Sequence, residues 1–377
     1  MGPVYYYVII GGGLAGLQLA QRFSRELFFK GKKIAIIDPS EKDTNDKTWC
    51  FWEKGEGQWD HIVSKSWKKA HFYSSEEELD LDLTPYTYKK IKSLDFYTEM
   101  KKELESSPDI VFIKDRINEV DIVKMQAIGE NDIYPATHFF DSRIPQAYTE
   151  ENKYTKIFQH FKGWQIETEN DCFDPETFTM MDYRLKHKDS TSFIYILPQS
   201  AKKALIEFTF FTPYLTEESI YDEMLKRYIS EISGINTCKI TSTESGIIPM
   251  TDFPFEKSNN NKITKIGTGG GWVKPSTGYS FKNTEKKTAR IIRNIKSGFK
   301  PGKNLVNKRF RKYDAIFLDV LAQHNGKGER IFTRFYKSNS VEKIFRYLDE
   351  ETSFSEDMKI MFSLFGYEFI ESFFRKL

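Results

Sequence analysis

Apolar and polar positions follow several distinct rhythms along this 377-residue chain. Tyr5-Tyr6-Tyr7-Val8-Ile9-Ile10 is an unbroken β-type run that stops at Gly11-Gly12-Gly13, and Leu14 to Phe23 continue as a helix. Lys33 to Asp38 reads as the next buried strand. The rhythm then turns to period two: Trp67 to Tyr73 and Leu79-Asp80-Leu81-Asp82-Leu83 predict a hairpin, and Tyr88 to Ile91 a short strand. Ser93 is placed to cap a helix, and Val111 to Ile128 predicts a meander returning through Ala136 to Arg143. From Phe158 onward a second sheet is expected. Ser192 to Pro198 and Ala204 to Thr212 are neighbouring antiparallel strands in it, followed by an amphipathic helix from Glu217 to Ile229 capped by Thr216. Gly246 to Met250 reads as a turn into a strand, and Thr284 to Leu377 as a helical, charged tail.

The first strand–glycine–helix unit carries chemistry. Gly11, Gly13 and Gly16 have dinucleotide-fingerprint spacing: a tight turn, room for a pyrophosphate at the backbone, and close helix–strand packing. Asp38 ends the following strand about 22 residues past Gly16, where a ribose-binding carboxylate is expected. Leu14 and Ala15 open the helix whose amides would face the phosphates. This motif alone does not separate FAD from NAD. A second glycine nest, Gly267 to Gly271 followed by Pro275-Ser276-Thr277-Gly278, favours FAD in an extended form, with Gly269, Gly270, Thr277 and Gly278 as further contacts.

Composition changes the picture in few places. A formal charge of +2 gives no pull toward nucleic acid. Cys50, Cys172 and Cys238 lie far apart and predict neither a disulfide framework nor a metal site. No stretch reaches the roughly 18 apolar residues needed to span a bilayer, and the N-terminal apolar run reads as a strand rather than a leader. Aromatic residues make up 15% of the chain, with 32 Phe and 20 Tyr; composition alone favours a phenylalanine-rich core, and the same side chains can also give rigid apolar walls whose faces stabilise cations. Trp49, Phe51 and Trp52 cluster just after the cofactor half-motif, and taken alone such a cluster reads as core packing before function. Glu207 is a single carboxylate among Leu205-Ile206-Glu207-Phe208-Thr209-Phe210-Phe211. Its same-parity neighbours Leu205, Thr209 and Phe211 are largely apolar, so it is expected to face a core or cavity, protonated near neutrality.

Several of these stretches together resemble the bacterial FAD-binding lycopene β-cyclase family of carotenoid biosynthesis. They are Tyr7 to Gly16, Asn45-Asp46-Lys47-Thr48-Trp49-Cys50-Phe51-Trp52, Phe140 to Arg143, Phe173-Asp174-Pro175 with Met181 to Arg184, Leu205 to Thr209, Gly246 to Met250 and Gly267 to Phe281. They run in family order over nearly the whole chain. Departures are Lys47 for the usual arginine, Phe208 for a second carboxylate, and no ribityl-binding aspartate in the second nest. Phe208 leaves Glu207 as the sole acid of its motif.

The resemblance implies an α/β fold: a Rossmann-like FAD-binding domain of the flavin hydroxylase and isoprenoid reductase type, interleaved with an antiparallel-sheet substrate domain. The cofactor domain is expected over 1–60, 93–157 and 240–300, the substrate domain over 61–92 and 158–239, and a helical region over 301–377. It implies a non-redox cyclisation of the ψ-ends of lycopene, or another linear C40 carotenoid, to β-rings. Glu207 would be the acid, FAD the cofactor in reduced form, and NADPH or NADH its electron donor. The substrate would touch Trp49, Phe51, Trp52 and Phe208, and the final base would be the reduced flavin or a carboxylate. Asp182, Arg143 and Asp319 lie in family-like motifs without an assigned step. A cytoplasmic protein peripheral to the membrane is expected, with Met361 to Leu377 as a helix that faces either the membrane or its own domain. The alternatives are an isoprenoid reductase or monooxygenase on the same scaffold, and a non-catalytic carrier.

Overall fold

A computed structural model of the protein describes residues 4–235 and 237–376. The chain begins with β1 (Tyr5–Ile10), α1 (Leu14–Arg25), β2 (Ile34–Asp38), β3 (Thr48–Lys54), β4 (Lys65–Trp67), β5 (Lys69–Tyr73), β6 (Glu78–Asp82) and β7 (Tyr86–Lys92). It continues through α2 (Ser93–Glu105), β8 (Ile110–Lys114), β9 (Ile117–Asp121), β10 (Gln126–Gly129), β11 (Ile133–Asp141) and α3 (Gln146–Glu150). Next come β12 (Lys156–Thr168), β13 (Thr177–Asp182), β14 (Ser192–Ser200), β15 (Lys203–Thr212), α4 (Glu218–Arg227), β16 (Cys238–Thr251) and β17 (Ile263–Lys265). The remainder is helical: α5 (Phe281–Lys296), α6 (Lys308–Gln323), α7 (Gly328–Ser338), α8 (Val341–Leu348), α9 (Phe354–Ser363) and α10 (Tyr367–Lys376).

The first sheet runs β8-β2-β1-β11-β10-β9, with β17 also on β11. Its β8, β2, β1, β11 and β17 pairings are parallel. Both faces are covered, which is why β1 and β2 are apolar without alternation. Tyr7 and Ile9 pack with Leu17, Phe23, Met100 and Ile291 of the helices on one side. Val8 and Ile10 pack with Ile117, Ala127 and Tyr134 of the β9–β11 meander on the other.

The second sheet runs β16-β12-β15-β14-β13-β5-β6, antiparallel except for the parallel β13–β5 pair. One face buries Ile206, Phe208 and Phe210 beneath Tyr221, Met224 and Leu225 of α4. The opposite face turns toward α6, α7 and α8. A small third sheet, β3-β7-β4, stands between the two large ones.

This arrangement moves several expected boundaries. Residue 60 is no divide, because β3 pairs with β7 from Thr48↔Lys92 to Lys54↔Tyr86. Residues 240–251, assigned to the cofactor domain, instead belong to β16, one continuous edge strand along β12. Ser93 does not cap α2. Its hydroxyl accepts the Lys47 amide at 3.0 Å and ties down the loop before β3. Glu217 rather than Thr216 stands at the start of α4. The expected tail helix is broken: α9 ends at Ser363, α10 starts at Tyr367 after Gly366, and Leu377 lies outside the described residues.

Candidate active site

The β1–α1 turn is built by backbone proximity. Gly11 sits at φ +106°, a region L side chains rarely adopt. A Cβ on Gly16 would lie 2.0 Å from the Gly11 carbonyl oxygen, so only glycine lets α1 come this close to the loop. No side chain caps α1, and Gly11, Gly13, Leu14, Ala15 and Gly16 all line one large cavity. The uncapped amides and the positive end of the helix dipole thus border open space, as an anionic ligand requires.

Asp38 ends β2 as expected, and its Oδ2 accepts the Gly12 amide at 2.7 Å. It braces the loop and is not among the cavity-lining residues. In the second nest, Thr277 and Gly278 line the cavity, but Gly269 and Gly270 do not. Their missing side chains serve close packing instead: a Cβ would meet the Arg143 carbonyl oxygen at 2.2 Å or that of Lys265 at 2.5 Å. Thr277 Oγ1 and Gln159 Oε1, both on cavity-lining residues, are buried without a hydrogen-bond partner. A cofactor carrying hydroxyl and amide-like groups fits that deficit.

The cavity measures about 720 Å³ and runs from the glycine loops across the open face of the second sheet to Phe332 and Tyr336 of α7. Its floor follows from strand register. Gly163 of β12 lies opposite Glu207 on β15 and also opposite Glu244 on β16, and Tyr195 of β14 lies opposite Glu207. In an antiparallel sheet such partners share a face. The next row holds Gly246, Phe161, Thr209 and Phe193 by the same register. Leu205, Thr209 and Phe211 line the cavity beside Glu207, as their parity predicts.

Glu207 is 7% exposed. Burial, and then the neighbouring Glu244 carboxylate, push its carboxyl up from 4.5 to about 8, against the Thr209 hydrogen bond and the Lys90 ammonium. Thr209 Oγ1 donates to Glu207 Oε1 at 2.6 Å. Glu244 is raised by burial and held back by the Thr48 hydroxyl, which donates to its Oε2 at 2.9 Å, and by Lys90. Lys90, buried on β7 opposite Cys50, is lowered chiefly by burial. Tyr88 hydroxyl bonds both Tyr195 and Tyr279 hydroxyls at 2.8 Å, a buried polar strip along the wall. Sequence reasoning missed Glu244, Lys90 and this strip.

Of the aromatic residues expected at the substrate, Trp49 lines the cavity. Phe51, Trp52 and Phe208 do not, and their assignment is corrected. Phe51 stacks on Phe281 at 4.4 Å. Trp52 stacks on Phe345 at 4.4 Å and donates from Nε1 to Asp349 at 2.9 Å. Phe208, one residue from Glu207, faces the opposite side of the sheet, under α4. Asp182, Arg143 and Asp319 lie in structural ion pairs, with Arg184, Asp141 and Arg375 respectively. No metal-ligating cluster occurs among the described residues.

Comparison with known proteins agrees with this architecture. A geranylgeranyl bacteriochlorophyll reductase-like protein from Thermoplasma acidophilum superposes with a TM-score of 0.61 at 12% identity, covering 99% of each chain. A variant of the halogenase PltM solved in complex with FAD gives 0.61 at 11% identity, covering 99% of this chain and 90% of that one. At these identities the likeness is one of fold. By sequence, lycopene beta cyclase of Arabidopsis thaliana is 27% identical over 310 residues, 73% of this chain. That of an Oncidium hybrid cultivar is 24% identical over 403 aligned positions, 97% of this chain and 82% of the relative. The alignment spans 57% of the Arabidopsis protein's length. The family described as "Lycopene cyclase protein" matches residues 7–373, and the chain therefore belongs to the lycopene cyclase family.

Proposed function

We propose that the protein is a lycopene β-cyclase. It holds reduced FAD between its two glycine loops and closes the ψ-ends of lycopene, or a related linear C40 carotenoid, to β-rings without net redox change. The carrying observation is that a buried carboxyl on β15, pushed up to about 8 by burial and by Glu244, lines the same cavity as the dinucleotide loop. Family membership and the FAD-bound PltM variant of the same fold support the cofactor. NADPH or NADH is the proposed electron donor. Bound reduced FAD would supply negative charge beside a developing cation.

The residues perform the remaining tasks. The site residues proposed to hold FAD are Gly11, Gly13, Leu14, Ala15 and Gly16, with Asp38 bracing their loop and Thr277 and Gly278 on the second nest. Glu207 donates its proton to the terminal alkene, a very weak base that needs an acid still protonated near neutrality and shielded from water. Phe161, Phe193, Tyr195 and Trp49 line the space where positive charge develops, and their faces stabilise it. The same walls keep water off the cation. Loss of the proton from the ring carbon that bears the chain completes a β-ring.

No helix of the described residues is long and apolar enough to cross a membrane. The substrate dissolves in lipid, so the chain must meet a membrane surface to load. Phe362, Phe365 and Tyr367, exposed at the α9–α10 break, and Phe374, exposed further along α10, are the proposed docking face.

Expression in lycopene-accumulating bacteria, with pigments separated and weighed by mass spectrometry, tests the reading. A cyclic product of unchanged mass is expected. A gain of two mass units per double bond would mean a reductase, and an added oxygen a monooxygenase. Glu207→Gln should abolish ring formation while FAD remains bound; normal turnover by that variant would remove the acid assignment.

A further inference from the structure

Glu244 is half-buried on the edge strand β16, and Glu207 is buried two strands further in. Only Gly163 lies between them in register, and it has no side chain to keep them apart. A Cβ placed there would fall 2.9 Å from Leu205 Cδ1, 3.4 Å from Glu244 Cγ and 3.6 Å from Glu207 Cβ. Both side chains therefore flank the same glycine, with Leu205 Cδ1 nearer to that position than either. Around them stand Lys90 from β7, Cys50 from β3, Thr48 from the start of β3, Tyr195 from β14 and Tyr279 from the segment before α5. Lys90 is the cation that lowers both carboxyls, and it offsets about one negative charge. One proton on the pair leaves a single anion facing a single cation. Two anions on one desolvated patch would repel each other.

We propose that Glu207 and Glu244 hold one proton between them, and that Glu244 is the second acid–base residue, the one that takes the proton released at ring closure and returns it to Glu207. The proposal rests on the cyclase reading above. The balance is closed. Glu207 loses its proton to the terminal alkene carbon and becomes a carboxylate. One carbon–carbon bond forms within the substrate. The ring carbon bearing the chain then loses one proton to the Glu244 carboxylate, and its C–H electron pair becomes the ring double bond. Transfer of that proton across Gly163 from Glu244 to Glu207 restores the starting pair. No electrons leave or enter the substrate. The placement also suits Glu244 to exchange with solvent, since it stands nearer the sheet edge than its partner.

The test uses the purified FAD-loaded protein and reads the infrared carbonyl band of a protonated buried carboxyl as a function of pH, alongside ring formation. Glu207→Gln should remove the band. Glu244→Gln removes the neighbouring negative charge, so the band should persist with its titration midpoint lowered by about one pH unit or more. Lys90→Met removes the positive charge and should move the midpoint upward. Turnover should fall about 10²- to 10⁴-fold in Glu244→Gln with FAD content unchanged, and Glu244→Asp should recover part of it. A midpoint unmoved in both Glu244→Gln and Lys90→Met, or undiminished turnover in Glu244→Gln, would overturn the proposal. Full turnover by Glu207→Gln would instead defeat the acid reading, and the titration would still report whether the two carboxyls are coupled.

Discussion

Burial that makes Glu207 an acid also couples it to stability. Its carboxyl rises from 4.5 to about 8 on folding, because the charged form loses its water and meets Glu244. A group raised in this way binds its proton more tightly in the folded chain. The stabilisation is complete below about pH 4.5, declines as pH rises between the two values, and is gone above about 8. Wild-type unfolding free energy, measured in denaturant, should therefore fall relative to Glu207→Gln across that window, by up to about 1.4 kcal/mol per pH unit. A difference flat with pH would mean that Glu207 is ionised in the fold. Parity made Glu207 legible: Leu205, Thr209 and Phe211 predicted the face it shares. The same rule, applied one residue on, sends Phe208 to the other face, whereas its motif position had suggested contact with substrate. Glu244 was invisible for a different reason. Nothing near it in sequence is chemical, and it becomes so only when β16 pairs with β12.

At the scale of elements, Trp52 joins β3 to α8 by stacking on Phe345 and bonding Asp349. Phe345 in turn packs edge-on against Tyr86 at the start of β7. Trp52→Ala should cost about 3–5 kcal/mol, the usual range for deleting a large buried aromatic. Thermal or chemical unfolding checks it, and a loss within about 0.5 kcal/mol would be that of a surface residue. The β1–α1 unit was legible because its glycines answer to local backbone geometry, and the β14–β15 pair because its strands are long and close in sequence. Elements held together by distant partners were not. The β3–β7 pairing crosses an expected domain boundary, and β16 looked like a turn because Gly246 sits within it. That glycine marks where the Phe161 ring lies: a Cβ there would be 2.8 Å from Phe161 Cζ. Breaks are equally hard to see when apolar spacing continues across them, as it does over Gly366 between α9 and α10.

For the molecule as a whole, the exposed aromatic face decides how a lipid-soluble substrate is reached. Phe362 is 70% exposed and Phe374 71%, side chains that a wholly aqueous surface would disfavour. The double substitution Phe362→Asp and Phe374→Asp should reduce flotation with liposomes severalfold and leave the melting temperature within about 2 °C, since neither ring is buried. Unchanged flotation would place lipid contact elsewhere. The overall layout was legible as two interleaved layers with a helical tail. The seam between them was not, because it is made by three sheets whose strands alternate along the chain.

That seam has a bearing on fidelity. Thr48, Cys50 and Lys90 belong to the small sheet, Glu207 and Glu244 to the large antiparallel one, and over the site the two are tied by the Thr48–Glu244 and Tyr88–Tyr195 hydrogen bonds. A momentary parting would not merely slow the reaction. It would admit a competing nucleophile, and the trapped intermediate would leave as an acyclic tertiary alcohol. The ratio of alcohol to carotene is thus a chemical gauge of how tightly the sheets stay shut.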